Sequence, residues 1–142
     1  MGNQAKEFSG KVAFITGASS GIGRATALAF AAQGAKVACA DVQEEEGKRT
    51  CELIREAQGE ALFVKCDVSK NVDVKAAVEK TLQAFGQLDF AFNNAGIEGA
   101  QGATHEATEE NFDRVIGINL KGVWLCMRHQ LPVMLKQNRS LS

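Results

Sequence analysis

The chain has 142 residues, 45% hydrophobic and 23% charged, enough for one globular domain with a real core. A formal net charge of -1, with Lys and Arg scattered, argues against a nucleic-acid surface, which needs a clustered basic excess. No run is long and apolar enough to span a bilayer, so no membrane partner is expected.

At the amino terminus MGNQAKEF lacks the apolar core of a secretory signal, and Lys6 stands where a myristoylation start needs Ser or Thr. The run KVAFI (Lys11 to Ile15) predicts a buried strand, and the glycine turn after it leads into a helix through GIGRATALAFAAQ. Gly34 suits the end of that helix, because glycine takes the left-handed conformation cheaply. KVACA (Lys36 to Ala40) predicts a second strand. An amphipathic helix from Gln43 to Gln58, closed by Gly59, follows, and ALFVKC makes a third strand.

Ser69 is the expected cap of a third helix reaching about Phe85, with Val72, Val78, Leu82 and Phe85 facing inward and Gly86 closing it. LDFAF predicts a fourth strand, and a Gly/Ala-rich loop runs from Asn93 to about Thr104. Thr108, with Asn111 three residues on, is the expected cap of a last long helix reaching about Lys136. Apolar strands alternating with helices imply a parallel sheet covered on both faces: α/β, a Rossmann-like doubly wound unit of four β-α steps.

The four cysteines, Cys39, Cys51, Cys66 and Cys126, form no C-x-x-C pair and no metal-ligand cluster. Cys39 and Cys66 fall in strand-like runs and read as buried free thiols, with no metal site and a reducing, cytoplasmic setting expected. His105 and His129 belong to no motif and read as surface or packing residues. Trp124, Met127 and Met134 read as core or interface residues.

The chemistry concentrates in TGASSGIG (Thr16 to Gly23). One glycine permits a tight turn out of the strand, another lets backbone N–H groups approach a pyrophosphate, and a third allows the helix to pack closely. The helix N-terminus adds unpaired N–H donors and partial positive charge, and Ser19 and Ser20 add hydroxyls. Asp41, at the end of the second strand, stands where an acid accepts from the ribose hydroxyls of NAD; a 2′-phosphate there meets like charge, so NAD is expected ahead of NADP. The alternative for Asp41 is a structural acid that opens a turn or caps the helix near Gln43.

Taken with NNAG (Asn93 to Gly96), CDV (Cys66 to Val68) and INLKG (Ile118 to Gly122), this stretch closely resembles the short-chain dehydrogenase/reductase family from Phe8 to about Leu135. The resemblance implies hydride transfer between NAD(H) and an alcohol or carbonyl substrate. It implies Gly17, Ser19, Gly21, Ile22 and Gly23 at the pyrophosphate and neighbouring ribose, and Asp41 and Val42 at the adenosine ribose. Asp67 and Val68 would sit at the adenine, and Asn93, Asn94, Ala95 and Gly96 toward the nicotinamide. Asn119 would join the proton relay by placing a water, or hold backbone in a locally bent helix; the two are compatible. Homo-oligomers are usual in the family.

The resemblance also calls for a Tyr acid/base with a Lys four residues later, and for a Ser at the end of a fifth strand. The chain contains no tyrosine, and Ser140 and Ser142 lack the strand context of that serine. Residues 1–142 are therefore expected to be an incomplete cofactor-binding domain, truncated or altered in frame near Gln137, with negligible dehydrogenase activity alone. In the family's sheet order the fourth strand would then form an open edge prone to self-pairing. Two rivals stand beside this reading: a non-catalytic dinucleotide-binding or interaction module, and an extended Rossmann enzyme, whose G-x-x-G-x-x-G spacing TGASSGIG does not match.

Overall fold

The computed structural model describes residues 6–139; Met1-Gly2, Ser140 and Ser142 lie outside the described residues. Four parallel strands, β1 (Val12–Thr16), β2 (Lys36–Asp41), β3 (Ala61–Lys65) and β4 (Phe90–Asn93), lie in the order β3-β2-β1-β4. The crossovers are α1 (Gly21–Ala32), α2 (Glu44–Glu56) and α3 (Asn71–Phe85). After β4 come a 3₁₀ turn (Thr104–Glu106), α4 (Glu109–Ile116), a π-helical turn (Gly117–Lys121) and α5 (Gly122–Arg139). The fold is α/β and Rossmann-like.

All five residues of β1 are buried because the sheet is covered on both faces. Strand alternation divides the core in two. Phe14, Ala38 and Val64 pack with Val74 and Val78 of α3 and Leu125 and Cys126 of α5. Ala13, Ile15, Val37 and Cys39 pack with Ala27 and Ala31 of α1 and Cys51 and Ile54 of α2. The four cysteines are buried free thiols, with Cys39 pushed up by its hydrogen bond with Cys51 and by burial.

Most helix ends fall where the sequence places them, and three details differ. Gly34 and Gly86 take φ of +94° and +80°, as left-handed terminators do. Gln58, rather than Gly59, takes the left-handed turn after α2, at φ +69°. Gly59 is needed for space instead, since a Cβ there would stand 2.7 Å from Ile54 Cγ2. Ser69 does not cap α3: its hydroxyl donates to Asp67 Oδ1 at 2.7 Å, and Lys70 occupies the cap position. Val72, expected inside, is 76% exposed because the first turn of α3 faces solvent, and Val74, Ala77, Val78 and Thr81 form its buried stripe.

Thr108 caps α4 as expected, its Oγ1 accepting from Asn111 N–H at 3.0 Å. The expected single helix is interrupted, however, by the π turn at Gly117–Lys121. Three carboxamides along this helical rod fasten it to β4 and its flanks. Gln137 bonds both the N–H and C=O of Leu88, at 2.9 and 2.8 Å. Gln130 and Asn93 exchange side-chain bonds of 2.9 and 3.0 Å, and Asn119 bonds both backbone groups of Ile97, at 2.9 and 2.8 Å. The outer side of the rod exposes Phe112, Ile116, Leu120, Trp124, Leu131 and Leu135.

Candidate functional site

At the carboxyl ends of the strands lies a cleft of about 680 Å³, the place where open α/β sheets bind ligands. The turn from β1 to α1 makes its floor. Gly17 and Gly21 adopt φ of +67° and +52°, a backbone that side-chain-bearing residues rarely take. Gly17, Ser19, Ser20, Gly21 and Ile22 line the cleft. Gly23 does not; it lies beneath the turn, and a Cβ there would stand 1.9 Å from the Gly17 carbonyl oxygen. The turn folds back tightly because position 23 has no side chain.

The first turn of α1 carries no acidic residue, and the side chain of its N-cap, Ser20, makes no capping bond. By contrast, α2, α3 and α4 each carry an acid there. The N–H groups and partial positive charge at this end of α1 therefore stay available to an anion in the cleft.

Asp41, Val42 and Gln43 form the next wall, at the end of β2. Asp41 Oδ2 accepts from Ser19 N–H at 3.1 Å, and Oδ1 accepts from Gln43 N–H at 3.0 Å. The acid thus opens the turn before α2 and clamps the glycine loop. A carboxylate has about four acceptor positions, so two remain beyond these bonds. Val42 and Ile22, 51% and 71% exposed, give the cleft an apolar rim.

Cys66, Asp67 and Val68 follow β3. Asp67 Oδ1 accepts from both the N–H and hydroxyl of Ser69, which fixes the carboxylate at the wall. Burial, then neighbouring Cys126 and the acids Asp73, Asp67 and Asp41, push the Cys66 thiol up to about 12, so it stays protonated at neutral pH.

The wall after β4 is built from Asn94, Ala95, Gly96, Ile97 and Glu98. Ala95 N–H donates to Thr16 Oγ1 at 3.0 Å, and the Asn94 amide rests against Gly17 and Gly23. Asn93, expected beside the ligand, instead turns its amide to buried Gln130 on α5. Asn119 also stands behind the wall, holding Ile97 in place from the π turn. Such turns leave a local gap in the helical hydrogen-bond ladder and recur at functional sites.

Twelve of the residues nominated from the sequence, all but Gly23, Asn93 and Asn119, thus line one cleft. Ala40, Gln43, Cys66, Ile97, Glu98 and Ile118 also line it, beyond the site residues the sequence points to. Ala40, Gln43 and Cys66 adjoin the acids Asp41 and Asp67, so proximity to those acids was the available signal. Neither histidine lines the cleft. His105 is exposed, and His129 shares a 2.7 Å bond with Asn71 Oδ1. Burial, then Arg128 and Lys75, hold His129 below the ordinary imidazole range. Among the described residues no group of three or more His, Cys, Asp and Glu is placed to hold a metal, and no helix is long and apolar enough to cross a membrane.

A parallel sheet in the order β3-β2-β1-β4, with a glycine turn and an acid-bearing strand end on one cleft, defines a Rossmann-like α/β unit. Its family follows from comparison with known proteins. A family model described as short chain dehydrogenase matches residues 11–140, and the chain belongs to that family of oxidoreductases. It is similar to an uncharacterized oxidoreductase of Thermotoga maritima, 48% identical over 130 residues that cover 92% of this chain and 51% of the relative. It is also similar to levodione reductase of Leifsonia aquatica, 42% identical over 136 residues, covering 94% and 51%. Among solved structures, a short chain dehydrogenase/reductase from Burkholderia phymatum in complex with NAD superposes with a TM-score of 0.90 at 44% identity, covering 93% of this chain and 47% of that one. The chain spans about half the length of the curated relatives it matches.

Proposed function

We propose that the protein transfers hydride between NAD(H) and a small alcohol or carbonyl substrate, and that these 142 residues supply its cofactor-binding portion. The observation that carries this reading is the Asp41 carboxylate, held by Ser19 and Gln43 N–H at the rim of the glycine-turn cleft with acceptor positions to spare. Gly17, Ser19, Ser20, Gly21 and Ile22 would hold the pyrophosphate, with Gly23 setting the turn beneath them. Asp41 and Val42 would take the adenosine ribose, and Asp67 and Val68 the adenine. Asn94, Ala95 and Gly96 would line the nicotinamide side, with Asn93 and Asn119 supporting that wall. When bound, NAD supplies the hydride acceptor; the protein groups bind, orient and exclude water.

Two observations favour NAD over NADP. Asp41 repels a 2′-phosphate, and Arg24, the cation nearest the loop in sequence, is turned to Glu46 at 3.0 Å on α2. The B. phymatum relative was solved with NAD, which supports the same choice. A fluorescence titration of the chain with NADH and NADPH tests it. NADH is expected to bind at least tenfold tighter, because like charges near a protein surface repel by about 4 kcal/mol at contact; equal binding defeats the preference.

Within these residues the cofactor would bind without turnover. The acid/base tyrosine required by the family resemblance is not among them, since the chain contains no tyrosine. That composition also favours the second reading, a dinucleotide-binding or interaction module. NADH-linked turnover by pure protein of confirmed mass would defeat both statements.

We further propose a homo-oligomer, with no nucleic acid or membrane as partner, in the cytoplasm; the four buried free thiols fit a reducing compartment. The exposed stripe from Phe112 to Leu135 supports self-association, since contiguous apolar faces of this kind mark interfaces. Trp124→Glu with Leu131→Glu is expected to shift the assembly to monomer in light scattering. An unchanged mass would remove the stripe from the interface.

A further inference from the structure

Thr50 is a buried polar residue on α2 that the cofactor reading does not use. Its hydroxyl donates to the Ala18 carbonyl at 2.7 Å, outside its own helix, and accepts from Arg24 Nε at 2.9 Å. The competing carbonyl, Glu46 O, lies farther away at 3.3 Å and already accepts from the Arg24 guanidinium at 2.9 Å. Glu46 Oε2 holds the same guanidinium nitrogen at 3.0 Å. Arg24 is thereby fixed, and the Thr50 proton is directed into the glycine loop.

The Ala18 carbonyl and the Ser19 N–H belong to one peptide unit, and in a trans peptide they point in opposite directions. The carbonyl is held by Thr50, and the N–H is held by Asp41 Oδ2 at 3.1 Å. A chain of hydrogen bonds therefore runs from a cation to an anion: Arg24 to Thr50, Thr50 to the peptide, the peptide to Asp41. Each bond in such a chain polarises the next, so the guanidinium strengthens the Ser19 donor across α2.

We propose that Thr50, backed by Arg24, is a positioning residue that sets the direction of the Ala18–Ser19 peptide and, through it, the Asp41 carboxylate that receives the dinucleotide. The ligand half of this statement rests on the cofactor reading above; the peptide half does not. Without the hydroxyl, the Ala18 carbonyl loses its buried donor and the peptide is held only at its Ser19 N–H end, so it can rotate. Rotation would withdraw the Ser19 N–H from Asp41 and turn a carbonyl oxygen toward that carboxylate.

The test compares wild type, Thr50→Val, which keeps the shape and removes the hydroxyl, and Thr50→Ser, which restores it. Amide hydrogen exchange by NMR reads the peptide, and NADH titration reads the site. In Thr50→Val the Ser19 amide is expected to exchange about tenfold faster and NADH to bind about tenfold more weakly, the equivalent of one lost hydrogen bond. The Phe14 amide in β1 should exchange as in wild type, and Thr50→Ser should restore both values. A Ser19 amide as protected in Thr50→Val as in wild type overturns the proposal, and so does loss of protection spread equally over Phe14. Should Thr50→Val not fold, Arg24→Ala on the part-exposed side of the chain is expected to speed Ser19 exchange severalfold, and no change there overturns it equally. Wild type that binds no NADH defeats the cofactor reading, and the Ser19 exchange then decides the anchor alone.

Discussion

Gly23→Ala is expected to abolish measurable NADH binding and to lower stability by about 1–3 kcal/mol, the usual cost of forcing atoms into a packed site. The added Cβ would stand 1.9 Å from the Gly17 carbonyl oxygen, 2.6 Å from its carbon and 2.9 Å from the Asn94 amide nitrogen. A flexible side chain would swing away, but the obstacle here is backbone. That backbone is constrained on every side. Gly17 already sits at φ +67°, Ala18 is held by Thr50, Ser19 by Asp41, and Asn94 packs against the turn from behind. Relief therefore displaces the loop into the cleft or lifts α1 from the sheet, and either removes the anion-binding end of the helix. Urea denaturation with an NADH titration checks both effects. Gly117→Ala is the control: its nearest neighbour would be Ser69 Cβ at 3.8 Å, so stability and binding should remain close to wild type. Normal NADH affinity in Gly23→Ala would show that the loop tolerates a shift the packing argument forbids.

The elements legible in the sequence are those dictated by local chemistry. VAFI, VACA and LFV are apolar runs with one possible use, burial on both sheet faces, and glycine ended two helices where the chain needed a left-handed residue. Two of the misses, at Ser69 and Asn93, arise from competition between partners. Ser69 has the chemistry of a cap, yet Asp67 two residues earlier offers its hydroxyl a charged acceptor at 2.7 Å. Asn93 has the polarity of a ligand contact, and Gln130, far along the chain, claims both ends of its amide.

The π turn at Gly117–Lys121 was hidden for the same reason. Nothing local to GINLK forbids an ordinary helix. The widened turn coincides with Asn119 reaching both backbone groups of Ile97, while farther along Gln130 and Gln137 meet Asn93 and Leu88. A helix of constant pitch fixes the angle between residues 11 and 18 positions apart, and one wider turn resets it. The cleft was legible as motifs and illegible as a surface. Glycines and acids announce themselves one at a time, whereas Ala40, Cys66, Ile97 and Ile118 become neighbours only through the strand order.

Asp41→Ala is expected to weaken NADH binding by about a hundredfold or more. Two ribose hydroxyls donating to one carboxylate make two charge-assisted hydrogen bonds, each worth about 1.5–3 kcal/mol. The truncation also frees the Ser19 and Gln43 N–H groups that the two oxygens hold, so the loop loses its clamp together with the ligand's acceptor. The fold should survive, because Asp41 is only partly buried at a strand end and its carboxylate bonds two turn N–H groups; unchanged circular dichroism checks this. Asp41→Asn tests the charge while its single oxygen can still accept from one of the two N–H groups. It keeps the side chain's shape and one acceptor oxygen while removing the charge, so NADH binding should fall while the preference over NADPH narrows by tenfold or more as repulsion of the 2′-phosphate disappears. If Asp41→Ala binds NADH like wild type, the carboxylate has no ribose to hold and only opens the turn before α2. If Asp41→Asn weakens both nucleotides equally, the acid acts by clamping Ser19, and the discrimination between cofactors belongs to another residue of the rim.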